Sequence, residues 1–276
     1  MPVKKDAEGR RYVQAETEVP GTPEDVWKAI ATGPGVSSWF VPAQIDEHVG
    51  GKATLNFGPG MDSVSTVTAW DPPRRWAADS QDMGPGSPTV ANEWVIEARS
   101  GGTCIVRVVH SWFADTDGWD NQFEGHEWGW QAFFRILRLY LTHFRGEPCA
   151  PFQVMGMTAE SVPAAWEALT RPLDLHGART GQRVASPAGA PKLAGVVEHA
   201  GSDEYPELLL RLNEPAPGVA HLFAMKMGGQ VCLSARAFLY GERAAAAATR
   251  EEPAWQEWVQ GAVAKINSAC GFGIRN

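Results

Sequence analysis

The stretch that decides the fold is Asn121 to Gly146, NQFEGHEWGWQAFFRILRLYLTHFRG. Trp130, Phe133, Phe134, Leu137, Leu141 and Phe144 recur at steps of three and four, while Gln131, Arg135, Arg138, Thr142 and Arg145 fill the opposite side. That spacing predicts a long amphipathic helix with one stripe to bury and one to wet. Asn121 with Glu124 three residues on can form a capping box, and Gly146 followed by Pro148 is a stop signal. A stripe of six large apolar side chains is worth on the order of 10 kcal/mol when buried, which requires a broad apolar surface to receive it.

The chain before this helix supplies such a surface. Val13, Ala15, Thr17 and Val19 alternate with Tyr12, Gln14, Glu16 and Glu18, the pattern of a half-buried strand. Thr22 and Pro23 then open a short helix carrying Val26, Trp27 and Ile30, and a second helical piece holds Val36, Trp39 and Phe40. Six strand-like runs follow, at 44–48, 52–57, 63–70, 75–79, 92–99 and 103–113, separated by turn residues. In the last two, Trp94, Ile96 and Ala98 share one face and Cys104, Val106, Val108, His110 and Trp112 another. These are the faces the helix should cover. Ser100-Gly101-Gly102 is short enough for a hairpin turn between them. An antiparallel meander in sequence order, with no crossovers, wrapped around a closing helix satisfies this pattern.

Past Gly146 the plan repeats. A strand at 152–157, a helix from Ser161 to Leu169, strands at 192–199, 207–213, 218–227 and 230–240, and a closing helix with Trp255, Trp258, Val259, Ala262, Val263 and Ile266 reproduce strand, helix, meander, helix. The expected fold class is therefore α+β, with two domains at 1–147 and 148–276, the second a divergent copy. Each is a curved antiparallel sheet around a long C-terminal helix. Residues 177–191 read as a loop, Pro253 falls near the start of the last helix, and the alanine-rich 241–250 reads as a connector, helical or frayed.

The residues that carry a resemblance are Val19-Pro20 through Val26-Trp27-Lys28-Ala29-Ile30, then Trp39-Phe40, Gly50-Gly51, the aromatic strands and Gly129-Trp130 to Leu141. Over residues 10–146 the chain resembles the SRPBCC, or START-like, helix-grip superfamily. Within it the chain is similar to the branch named for the C-terminal domain of the activator of the Hsp90 chaperone ATPase. The resemblance implies a hydrophobic cavity under the long helix, in a superfamily of lipid and hormone carriers, polyketide aromatase/cyclases and chaperone activators. It supplies no catalytic motif, and fold alone does not fix function.

The candidate ligand-binding residues are Trp39, Phe40, Phe57, Trp94, His110, Trp112, His126, Trp130, Phe133, Phe134 and Leu137. For any single ring solid core is the plainer reading, but so many rings on converging faces are hard to close-pack, and ligand pockets are commonly apolar with a few polar groups. His110 and His126 are the ionisable groups placed to reach such a space, where they can orient a ligand or act as acid and base; a hydrogen-bonded structural histidine is the plainer reading of each. Gly125 and Gly129, in the helix's opening turns, suggest a close approach there by the sheet or by a ligand.

Three function classes follow. The first is binding of a small hydrophobic or aromatic molecule without assigned catalysis, the second a polyketide-type cyclase or other cavity enzyme using His110 or His126, and the third a chaperone-regulating partner. No cofactor and no metal are expected. The aspartates at 115, 117 and 120 look like a calcium loop, but the twelfth position is His126 where a glutamate is required. No GxSxG elbow, P-loop or GxGxxG after a strand occurs.

A net charge of −8 without a basic block argues against nucleic acid and against anionic membrane surfaces. The arginines at 135, 138 and 145 read as a solvated helix face. No run of about 18 apolar residues exists to span a bilayer. Four scattered cysteines without a CxxC pair read as reduced thiols, and a cytoplasmic location is expected.

Overall fold

The computed structural model describes residues 3–6, 9–58, 60, 62–80, 89–112 and 126–271, with the side chains of 126–128 and 269–271 outside that set. The chain divides into two compact units, Met1–Arg145 and Gly146–Asn276.

In the first unit a two-residue strand β1 (Lys4–Lys5) precedes β2 (Arg11–Pro20), α1 (Pro23–Ala31) and α2 (Gly33–Ser37). The meander β3 (Ala43–Ile45), β4 (Lys52–Asn56), β5 (Asp62–Asp71), β6 (Arg75–Ser80), β7 (Val90–Arg99) and β8 (Thr103–Trp112) then leads to the long helix α3 (His126–His143). Every strand of the meander pairs antiparallel with the next, and β2 pairs with the last of them, β8. So β2 and β3 lie toward opposite edges, and the α1–α2 segment carries the chain between them. The expected six-stranded meander is therefore present, and the strand before the helices closes against its last member.

Local chemistry sets the helix starts. Thr22 and Asp25 form a reciprocal capping box at α1, with Pro23 in the first position, where its missing N–H costs nothing. Thr32 ends α1 and caps α2, its hydroxyl accepting from the Gly35 amide at 3.1 Å. Trp39 and Phe40 lie just past the end of α2 rather than within it. The predicted box at Asn121 and Glu124 lies outside the described residues. Within α3, Phe134, Leu137 and Leu141 are buried as the periodicity requires, as is Phe144 just past its end, and Ile136 and Tyr140 are buried as well. Gly129 is exposed, and a Cβ there would meet nothing within 4 Å, so no close approach explains it.

Arg138 and Arg145, exposed as a solvated face requires, also reach other elements. Arg138 donates to the Thr17 hydroxyl on β2 at 3.0 Å, and Arg145 pairs with Asp25 of the α1 cap at 2.6 Å. Both pairs are largely exposed, so they set register more than they add stability.

The second unit follows the same plan with fewer strands. β9 (Cys149–Thr158) leads to α4 (Val162–Thr170) and a 3-10 turn at Arg171–Leu173. Next come β10 (Arg183–Ala185), β11 (Ala194–Ala200), β12 (Glu207–Glu214), β13 (Gly218–Met227), β14 (Gln230–Tyr240) and α5 (Ala244–Gly271). Again the first strand pairs with the last, β9 with β14, and the two units share an α+β layout of antiparallel sheet and long C-terminal helix. Ser161 caps α4 as the sequence predicts. The expected loop 177–191 contains β10, and the expected connector 241–250 is largely the first turns of α5. Pro253 therefore sits inside a 28-residue helix rather than near its start. The helix lies closely on β9 at Gly156, where a Cβ would come within 2.8 Å of Val263 and 2.9 Å of Val259.

Candidate functional site

The inward face of the first sheet is fixed by its register. Trp70 opposes Trp76, Trp76 opposes Trp94, and Asn92 opposes His110, so these side chains share one face with Val106, Val108 and Trp112. Trp39 and Phe40 enter from the α2 end, and α3 supplies Trp130, Phe133 and Phe134.

The result is a continuous aromatic cluster. Phe40 lies 4.4 Å from Phe133 and 5.4 Å from Trp130, and Trp130 lies 5.3 Å from Trp94 and 5.6 Å from Phe134, between ring centroids. Trp39 meets Phe40 and Trp94 and donates its indole N–H to the Ala29 carbonyl at 2.9 Å. Phe57, 38% exposed, touches Phe40 at 5.8 Å and so links the buried rings to the surface. Trp112 and Leu137 are fully buried. The rings that line the face therefore also lie against one another. Of the sequence candidates, only His126 cannot be placed by its side chain, although its backbone opens α3.

Three tryptophans absent from the sequence candidates extend the cluster. Trp27 packs edge-on against Trp70 at 5.0 Å, Trp70 reaches Trp76, and Trp76 stacks parallel on Trp94 at 6.4 Å. The Trp76 indole N–H is buried and has no hydrogen-bond partner among the described residues. A donor left unanswered in the interior costs about 1–3 kcal/mol.

His110 is tied at both ring nitrogens. Its Nδ1 makes a short hydrogen bond with Asn92 Oδ1, and its Nε2 accepts the Trp130 indole N–H at 2.9 Å. An indole is a donor only, so this network places the imidazole proton on Nδ1 and occupies the Nε2 lone pair. In this arrangement His110 orients Trp130, and it is a general base only if Trp130 lets go.

In the second unit, between α5 and its sheet, the space bounded by Phe152, Leu193, Leu222, Ala237 and Trp255 is about 10 Å³, room for no more than one water. A larger groove of about 500 Å³ lies elsewhere on that unit, among Ala168, Pro172, Ala190, Trp258 and Gly261.

On this same sheet Glu207 sits between His221 Nε2 at 2.8 Å and His199 Nε2 at 3.2 Å. Burial pulls Arg236 down to about 10, and Gln153 accepts from it at 2.8 Å. Among the described residues no three His, Cys, Asp or Glu side chains are grouped to hold a metal, and no helix is long and apolar enough to cross a membrane.

Residues 20–142 match the model of the family described as Activator of Hsp90 ATPase homolog 1-like protein. That match spans most of the N-terminal unit and less than half of the chain. No curated protein matches the chain in sequence. Among solved structures similar to it, CalU16 from Micromonospora echinospora is 16% identical, over 51% of this chain and 83% of its own, with a TM-score of 0.40. DynU16, a putative protein in the dynemicin biosynthetic locus, is 17% identical over 94% of this chain and 98% of its own, at 0.42. The di-domain ARO/CYC BexL from the BE-7585A biosynthetic pathway is 14% identical over 94% and 95%, at 0.44. At these identities and scores the likeness does not say what this helix-grip protein binds.

Proposed function

We propose that the N-terminal unit binds one small apolar or aromatic molecule between its sheet and α3, without catalysis assigned to it. The observation that carries this is the buried Trp76 N–H on a wall of rings: a donor in an aromatic interior with no acceptor among the described residues. A ligand oxygen would answer it, and the wall is the mostly apolar, sparsely polar surface that small-molecule sites present. Phe57, half in solvent and against Phe40, marks the edge by which such a molecule would enter. The ligand would slide between rings that lie against one another, which calls for small ring displacements rather than a change of fold.

The expected result is saturable uptake of a naphthalene-based apolar fluorophore by the full chain at one site. Uptake should weaken at least tenfold in Trp94→Ala, in Trp112→Ala and in Phe134→Ala. Affinity unchanged in all three variants would remove the site.

A cyclase-type reading rests on His110, at the end of the same wall. It would require the Trp130 N–H to leave Nε2 as substrate arrives, and turnover unchanged by His110→Ala would rule it out.

A further inference from the structure

Four of the chain's seven methionines sit in two Met-x-Met pairs, Met155-Gly156-Met157 on β9 and Met225-Lys226-Met227 on β13. The strand between them, β14, carries Cys232. Met225 is directly opposite Cys232, and Cys232 is directly opposite Met157. Residues paired in this way project from the same face, with Cβ atoms about 4.5–5.5 Å apart. That face is the one turned away from α5, because Gly156 is the residue of β9 that meets Val259 and Val263. Met155 and Met227 are the diagonal neighbours of Cys232, still within reach of a long side chain.

Packing alone does not account for this grouping. Met225 and Met227 are 46% and 42% exposed, whereas Cys232 between the pairs is 2% exposed and holds a free thiol. A thioether on each side of a thiol, across three hydrogen-bonded strands, is a soft donor set with a fixed spacing. Such sulfur ligands select copper(I) over the harder divalent ions.

We propose that Cys232, Met157 and Met225 form a site for a single copper(I) ion, with Met155 or Met227 able to add a fourth sulfur. Binding replaces the S–H bond by a Cu–S bond: Cys232 releases one proton to solvent, the thiolate donates its electron pair to copper, and no electron is transferred. Burial holds the Cys232 thiol above its usual range, while the Arg236 charge farther along the same face draws it down. The exposed Met225 and Met227 offer the incoming ion its first contacts. None of these residues takes part in the aromatic site of the first unit, so the two proposals stand or fall separately.

The test is anaerobic titration of the full chain with copper(I) supplied as its bicinchoninate complex. The expected result is transfer of one copper per chain with release of about one proton and sulfur-only ligation by X-ray absorption. Transfer should fall at least tenfold in the Met157→Leu, Met225→Leu double variant and be lost in Cys232→Ser. Leucine keeps the apolar volume, so a circular dichroism spectrum unchanged in the double variant separates lost ligands from lost fold. No transfer to the native chain would overturn the site. So would transfer undiminished in the double variant, which would place the copper on Cys104, Cys149 or Cys270 instead.

Discussion

Trp39→Ala is expected to lower the stability of the first unit by about 4 kcal/mol, the middle of the range for emptying a buried aromatic site. The indole is fully buried, stacks on Phe40 at 5.5 Å and meets Trp94 edge-on at 6.2 Å. Its N–H also answers the carbonyl of buried Ala29, so the substitution leaves both a hole and an unanswered acceptor. Both losses fall where α1, α2 and the sheet meet. Because the chain has two units, a single melting midpoint would mix their transitions. Hydrogen exchange resolves them: protection of the β7 and β8 amides should drop by about a thousandfold if they exchange through unfolding of the unit. A drop below tenfold would mean that Trp39 is not part of the core.

Trp255→Ala is the counterpart in the second unit and is expected to cost about 3–5 kcal/mol there. Trp255 is 4% exposed and packs against the sheet beside the 10 Å³ void. Its removal should turn a space for one water into an indole-sized apolar hole. Engineered apolar cavities of that kind stay dry and accept benzene. The variant should therefore regain part of its lost stability in benzene-saturated buffer, while the native chain's second unit shows no such gain. Equal benzene stabilisation of both would mean that the native interior of this unit already has room for a ligand.

The parts of this fold that were legible in the sequence are those where one face is buried and the other wet. Val13 to Val19, Trp94 to Ala98 and Cys104 to Trp112 alternate cleanly for that reason, and Trp130 to Phe144 show a helical stripe. Thr22-Pro23 and Ser161 announce helix starts because their side chains cap backbone N–H groups within three residues. β1 and β10 were not legible: two or three residues at a sheet edge carry no measurable period. Nor was the helix through Pro253, since tertiary packing can override a local breaker. The closure of β2 on β8 and of β9 on β14 depends on pairings distant in sequence, from Val231 with Thr158 to Arg11 with Trp112, which no local pattern encodes.

The aromatic site was legible as a set of rings but not as a geometry. Trp76 reads as one residue of a short run, and only its register with Trp94 puts its N–H inside. The bond from Trp130 to His110 joins a helix to a strand, so no local pattern announces it, and it favours the plainer reading of His110, a hydrogen-bonded structural histidine, over a poised base. The sulfur cluster behaves in the same way. Met157, Cys232 and Met225 are scattered in sequence and become neighbours only through two strand registers.

The central claim is that the ring-lined interior of the first unit holds a small molecule, with Trp76 donating to it. Native mass spectrometry of the chain purified from its own host tests this most directly. The account predicts a single small molecule of constant mass per chain, released on denaturation and absent from Trp94→Ala prepared in the same way. A native mass equal to that of the bare polypeptide, in a preparation that also takes up no apolar fluorophore, would contradict it.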